Sequence, residues 1–420
     1  MTVVSKASAF PKSVQPGIPA LGPKPMGWLR GPLSAHLFEQ QRPIRMSDDA
    51  EYRLVTVKRS RGGVVTREHL KGREISVKSQ FLLHPGDFLI SKRQIVHGAC
   101  GIVPAELEGS IASNEYAILR GKPTVDLEFL NYLAHSIYFQ QTCFHSSIGV
   151  HVEKMIFKLD RWLSWDFDLP PLPEQRKIAE VLSTWDAAIS AQERLIANAK
   201  HQKKALMQTL LPTGTQPPKK RLPGFTGEWV RRSFGSFAES EKRRIDPKSI
   251  TSATKCVELE HIEAKTGALL GFCDAKAQAS LKSVFEPGHI LYGKLRPYLR
   301  KFYRPDFSGV CSTEIWSIKA NEKTCLPDFL YYLIQSPAFE EAVDVSSGSK
   351  MPRADWGIVK GTTFQLPGLK EQRAIFEVLD TAETELTHSQ EQLTALRREK
   401  SALMQQLLTG KRRVKLEEAA

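Results

Sequence analysis

The chain has 420 residues, of which 41% are hydrophobic and 25% charged, enough for two or three domains with cores of their own and unlike a disordered or collagen-like polymer. Lys and Arg number 59 against 46 Asp and Glu, a formal net charge of +13 that makes a polyanion the first partner to consider, because cations that neutralise phosphates release condensed counterions. No run approaches the roughly 20 apolar residues that span a bilayer, and the six scattered cysteines show neither a CxxC pair nor a zinc-finger spacing, so a soluble, cytoplasmic protein without disulfides or a metal is expected.

Residues 1–27, spread out by Pro, Gly, Lys and Ser, read as a disordered leader. From 28 to 170 the chain carries alternating or short apolar runs such as Leu54-Val55-Thr56-Val57 and Phe88-Leu89-Ile90, punctuated by Gly and Pro, which predict strands. A helical pattern follows at Phe129, Leu130, Leu133 and Ile137, so this segment is an α+β globule. Its basic stretches are Lys58, Arg59 and Arg61 around Gly62-Gly63, continuing through Arg67, Lys71 and Arg73, and then Lys92 and Arg93. Glycines there let backbone approach a phosphate closely.

Residues 171–212 are different in kind. After Leu169-Pro170-Pro171-Leu172-Pro173, a stretch without Gly or Pro runs from Glu174 to Leu211, with Ile178, Leu182, Trp185, Ile189, Ile196 and Leu206 on one heptad seam. About 38 residues make a rod of roughly 57 Å, too long for one such globule to cover. A Gly- and Pro-rich linker at 213–222 ends this first half.

The second half repeats the first. Glu174-Gln175-Arg176 returns as Glu371-Gln372-Arg373, Pro85-Gly86 as Pro287-Gly288, and Ala205-Leu206-Met207-Gln208 as Ala402-Leu403-Met404-Gln405. A second globule is predicted at 223–366 and a second rod at 367–410, with seam residues Ile375, Leu379, Leu386, Leu393, Leu396 and Leu403 and a tail at 411–420. Even the seam exception Lys203 recurs as Lys400. Two globules, each followed by its own rod, predict a pseudo-twofold arrangement with the rods antiparallel.

In the second globule the run from Gly288 to Pro305 contains Lys294, Arg296, Arg300, Lys301 and Arg304 without an acid, interleaved with Tyr292, Tyr298, Phe302 and Tyr303. Such a run suits DNA, with cations on phosphates or guanine edges and rings against sugars or bases. The plainer alternative is a basic edge strand whose aromatics are core. Ser349 and Lys350, with Arg353 nearby, form a polar loop matched by Ser146-Ser147-Ile148-Gly149. The P-loop, dinucleotide, nucleophile-elbow and HExxH motifs are absent, and Glu263-Ala264-Lys265 with Asp246 has no counterpart in the first copy. The sequence therefore predicts binding without chemistry.

The ordered set of Pro-Gly-x-x-Leu at 85 and 287, Leu-Pro-Pro-Leu-Pro-Glu-Gln-Arg at 169–176, its variant at 366–373 and the Leu-Met-Gln-x-Leu-Leu endings resembles the specificity subunits of type I restriction-modification systems. The resemblance implies two target recognition domains, each reading one half of an asymmetric bipartite DNA target, joined by an antiparallel coiled coil that sets the gap. It further implies two modification subunits that carry S-adenosylmethionine, and restriction subunits that use ATP and Mg2+, with no cofactor in this chain. On this basis Glu174, Gln175, Arg176, Glu371, Gln372 and Arg373 are expected to contact modification subunits. Two rival readings are a stand-alone DNA-modifying or DNA-cleaving enzyme and a coiled-coil scaffold that does not bind DNA.

Overall fold

The computed structural model describes residues 14, 17–213, 216–250, 253–345 and 351–416. The chain divides into two units: residues 1–191 with 393–420, and residues 192–392. Each long helix thus has one half in each unit.

In the first unit the order is β1 (Leu29–Pro32), β2 (Leu37–Glu39), β3 (Glu51–Val57), β4 (Val64–Lys71), β5 (Gln80–Leu82), β6 (Phe88–Ser91), β7 (Cys100–Ile102), β8 (Ile111–Ser113), β9 (Tyr116–Gly121), α1 (Leu127–Leu133), α2 (Ile137–His145), β10 (Ser147–Ile148), β11 (Ile156–Phe157), α3 (Leu159–Leu163), β12 (Asp166–Leu169) and the start of α4 (Leu172–Leu210). One sheet has the antiparallel order β2-β9-β6-β7, and another, β4-β3-β8-β5, pairs β3 with β8 in parallel. The second unit contains β13 (Val230–Ser233), α5 (Phe234–Phe237), β14 (Ala238–Ser240), β15 (Arg244–Ile245), β16 (Lys255–Val257), β17 (Cys273–Asp274), β18 (Lys282–Phe285), β19 (Ile290–Gly293), β20 (Phe302–Tyr303), β21 (Gly309–Ser312), β22 (Ile315–Ala320), α6 (Pro327–Leu333), α7 (Pro337–Asp344), α8 (Trp356–Gly361), β23 (Thr363–Leu366) and the start of α9 (Leu369–Leu407). Its sheet β14-β22-β19-β20 copies β2-β9-β6-β7, and its parallel pair β16–β21 copies β3–β8.

Local chemistry explains the repeated marks. Pro85-Gly86 and Pro287-Gly288 occupy the corners of turns closed by Asp87 N to His84 O (3.1 Å) and His289 N to Glu286 O (3.1 Å), with Gly86 and Gly288 at φ of 79° and 85°. Proline presets the first corner and glycine the left-handed second, the chemistry of a type II turn. Each turn launches a strand, β6 or β19, whose four residues are all buried. Asp126 and Ser136 cap α1 and α2 by accepting the amides of Phe129 and Phe139. The cysteines are free and five of the six are buried, and burial pushes the Cys100 and Cys311 thiols up to about 12, which leaves them unreactive.

The rods pair as the heptads require. In the first unit the start of α4 packs on the end of α9, with Asp186 bonded to Lys400 and Glu174 to Arg413; numbers rise on one helix as they fall on the other, so the pair is antiparallel. In the second unit Lys203 pairs with Glu383, and Gln192 donates to the Ser389 carbonyl at 3.0 Å, again antiparallel. All twelve seam residues are buried or half-buried, with Ile178, Leu182, Ile375 and Leu379 deepest because they also enter the globular cores. The two seam lysines each span the helix pair to a carboxylate, and their ammonium groups lie over the Tyr132 and Tyr332 rings at 5.3 and 5.9 Å.

Part of the leader departs from the expected disorder. Pro19 is buried, Pro25 O accepts from Trp28 N (3.2 Å), and Met26 O and Gly22 O accept from Arg413 and Arg30. Pro25 supplies a rigid apolar surface against Gly410, where a Cβ would approach Pro25 Cγ to 2.5 Å. Gly410, at φ 66° and donating its N–H to Leu407 O (3.2 Å), also ends the second rod. Residues 1–13, 15 and 16 and Gly214 lie outside the described residues.

Candidate nucleic-acid interface

The Glu and Gln of the two Glu-Gln-Arg motifs are internal locks, turned into the chain rather than open to a partner. Gln175 is fully buried; its Oε1 accepts from Asp126 N (2.8 Å) and its Nε2 donates to Thr124 O (3.0 Å) and Pro170 O (2.8 Å). Gln372 makes the same three bonds, to Leu326 N, Thr324 O and Pro367 O. Glu174 and Glu371, 2% and 4% exposed, hold Arg413 and Arg221 in two-pronged ion pairs, and Glu371 also accepts from Trp229 Nε1. Only Arg176 and Arg373 face solvent. The sequence signal was real, but its cause is the need to satisfy backbone groups where the globule meets its rod.

Three loops converge in each unit. In the first, the tip of the β3–β4 hairpin docks by Ser60 N to His97 O and Arg61 N to Gly98 O, both 2.7 Å, on the loop after β6. That loop binds the β10–β11 hairpin through Phe157 N to Lys92 O (2.8 Å) and is fixed by Lys92 N to Glu115 O (2.9 Å). In the second unit Lys265 N donates to Arg300 O (2.9 Å), Ala354 N to Lys294 O (2.9 Å) and Lys294 N to Glu314 O (3.0 Å). Among the described residues, five non-glycine residues have positive φ: Ser60, Arg61, Lys265, Arg296 and Arg300. All five lie in these two clusters. Left-handed backbone at such residues costs energy and is retained where a site demands it.

The clusters sort the predicted DNA contacts. Lys58 and Arg296 are exposed, Tyr298 is 53% exposed, and the Lys294 side chain has no ion pair among the described residues. Arg59 bonds Gln94 and Glu153 (2.9 Å each), Arg93 bonds Glu115 (2.6 Å) and Arg353 bonds Glu314 (3.0 Å), all at the surface. Such exposed pairs contribute little stability, so a phosphate can replace the carboxylate. Lys92 is half-buried and donates to Asn114 O at 3.2 Å.

Three predicted contacts are internal. Arg300 is clamped by Asp344 (2.9 Å) and Glu340 (3.3 Å), and the Asp344 bond raises its pKa further. Lys301 donates to Leu259 O at 2.6 Å, and Arg61 is half-buried, with its Nε shielded and without an acceptor among the described residues. Arg304 is likewise engaged by Asp328 and Asp380. Tyr292 and Phe302 are core, so the plainer reading holds for part of the run. Ser349 and Lys350 lie outside the described residues. Lys265, the last residue of Glu263-Ala264-Lys265, sits exposed at the second cluster's hairpin tip. His261 and His289 are structural: His261 Nδ1 accepts from Glu258 N, and His289 bonds Ser317 in the interior. No group of metal-ligating side chains is present among the described residues, and no described helix is long and apolar enough to cross a membrane.

Duplicated basic loop clusters carried on paired long helices define a DNA-recognition scaffold. The family model described as type I restriction modification DNA specificity domain matches residues 48–201 and 227–396, and the chain belongs to that family. It is similar to the type I restriction enzyme MjaVIII specificity subunit of Methanocaldococcus jannaschii, 23% identical over 68% of this chain and 70% of that protein. It is also similar to the EcoDI specificity subunit of Escherichia coli, 26% identical over 40% of each. Solved structures share the fold: the HsdS subunit of Thermoanaerobacter tengcongensis (TM-score 0.50, 18% identity, 93% of this chain and 99% of that one) and the S subunit from M. genitalium (0.54, 12%, 95% and 98%). The chain is a DNA-recognition subunit of the type I restriction-modification kind.

Proposed function

We propose that each unit reads one half of an asymmetric, bipartite DNA target while the paired helices set the unread gap, and that the chain itself performs no chemistry. The observation that carries this reading is the pair of loop clusters, built on one backbone plan around the shared Lys92 and Lys294 yet bearing different side chains elsewhere: Lys58, Arg59 and Arg93 in one, Lys265, Arg296 and Arg353 in the other. Shared backbone supplies a common docking geometry, phosphates supply salt-dependent affinity, and the differing residues supply sequence preference.

The partners that fit are double-stranded DNA, two modification subunits that bring S-adenosylmethionine, and restriction subunits that bring ATP and Mg2+. With Glu174, Gln175, Glu371 and Gln372 turned inward, the outer faces of the rods and Arg176 and Arg373 are what remains for a modification subunit. The test is to exchange residues 223–366 for the corresponding segment of a relative and map methylated sites in cells that also supply the modification subunit. One half of the target changes and the other persists; simultaneous change of both halves counts against modular reading.

A further inference from the structure

The β10–β11 hairpin of the first unit carries a feature that phosphate binding does not use. Ser147 and Phe157 point inward and are buried, whereas the paired Ile148 and Ile156 are 47% and 43% exposed, and Val150, two residues beyond Ile148, is 95% exposed. Three β-branched side chains therefore stand exposed at the outer end of a two-stranded ribbon, with restricted χ1 freedom. The ribbon does not hang free. Phe157 N anchors it to Lys92 O, and Glu153 at its tip bonds Arg59 (2.9 Å) and pairs with His97 (3.1 Å).

Its surroundings are cationic. Exposed Lys58, Arg59 and Arg93 belong to the neighbouring loops and Lys154 to the hairpin's own connection, and the nearby acids Glu153 and Glu115 are already paired with Arg59 and Arg93. An apolar tip inside a cationic rim calls for a surface that is anionic at its edges and apolar within. It matches the major groove, which admits a two-stranded ribbon between two rows of phosphates and exposes one apolar feature, the C5-methyl group of thymine.

We infer that the tip formed by Val150, with Ile148 and Ile156 behind it, seats a thymine methyl in the major groove and so fixes one base of the first unit's half-site. The inference rests on the reading of that unit as a DNA reader. Burial of one methyl group against apolar side chains corresponds to about a fourfold change in affinity.

The experiment uses the full chain assembled with its modification subunits and a duplex carrying the methylome-derived target, each thymine replaced singly by deoxyuridine. One replacement in the first unit's half-site is expected to weaken binding about fourfold, and Val150→Ser is expected to abolish that difference while leaving thymine replacements in the other half-site as they were. Because Val150 is almost wholly exposed, the substitution does not threaten the fold. Equal affinity for every deoxyuridine duplex, a half-site without thymine, or an undiminished penalty in Val150→Ser overturns the inference. So does loss of modification-subunit binding in that variant with discrimination unchanged, which would make the tip a protein contact. Failure of the complex to bind the intact target even at low salt instead overturns the underlying DNA reading.

Discussion

The two units are nearly superimposable in logic where globule meets helix and unlike where loops meet solvent. At the helix entrance Gln175 and Gln372 make the same three bonds, and Glu174 and Glu371 hold equivalent arginines. In the loop clusters the backbone bonds and the Lys92–Glu115 and Lys294–Glu314 positions are shared, while the remaining side chains differ in kind, number and availability. The difference separates two demands on a duplicated chain: buried backbone groups have one satisfactory partner geometry, whereas surface loops are constrained only in where they stand.

The most damaging way to probe the shared part is to remove its glutamines. Gln175→Ala and Gln372→Ala each leave one amide and two carbonyls without their side-chain partner, the Pro170 or Pro367 carbonyl in a buried site, and each is expected to destabilise its own unit by about 2 kcal/mol. Denaturant unfolding of the two variants checks this, and costs differing by more than about 1 kcal/mol would mean that the locks are not equivalent.

The unlike part is probed through its cations. Replacing Lys294 and Arg296 together with alanine is expected to weaken DNA binding roughly tenfold at physiological salt and to reduce the salt slope by about 1.8, at roughly 0.9 per phosphate contact. Arg300→Ala, only four residues along from Arg296, loses the Asp344 and Glu340 pairs instead. It should lower the second unit's melting temperature with the salt slope unchanged. A slope that moves with Arg300 as much as with Lys294 and Arg296 would erase the distinction between free and internal cations.

A smaller contrast concerns pH. His135 in the first unit, placed where the second carries Gln335, has its pKa lowered to about 4, chiefly by burial and then by Arg61 and Lys400, against the pull of Asp186. The folded pKa lies below the unfolded value near 6.5, so the neutral ring's contribution is fully present above about 6.5 and is lost as pH falls toward 4. Because the ring is partly open to water, the loss is on the order of 1 kcal/mol. Thermal melts between pH 7 and 4 should show His135→Gln reducing the acid sensitivity of the first unit; unchanged sensitivity would place its origin in other groups.

Duplication, strand-rich globules and the helical seam were legible in the sequence because each leaves a periodic or repeated mark: Ile178 and Ile375, Pro85-Gly86 and Pro287-Gly288, Lys203 and Lys400. The role of Glu-Gln-Arg was not, since a buried glutamine bonded to backbone looks in sequence like an exposed polar residue. Nor was the sorting of cations. Arg300 is internal because Asp344 lies 44 residues away in the chain yet at its side, and Lys301 because its amine meets the Leu259 carbonyl. The left-handed residues Ser60, Arg61, Lys265, Arg296 and Arg300 carry no compositional mark, for none is Gly or Asn.

The division of the chain also sets an order of assembly. The second unit is one uninterrupted stretch, 192–392, whereas the first needs Leu403, Met404, Leu407, Leu408 and Val414 to complete a core begun almost four hundred residues earlier. During synthesis the earlier-made globule therefore lacks the part of its core that residues 403–414 supply until they emerge, while the later-made unit can close first. A premature stop near residue 392 would spare the second unit and leave the first without part of its core, so a segment made after the second reader decides whether the first one closes.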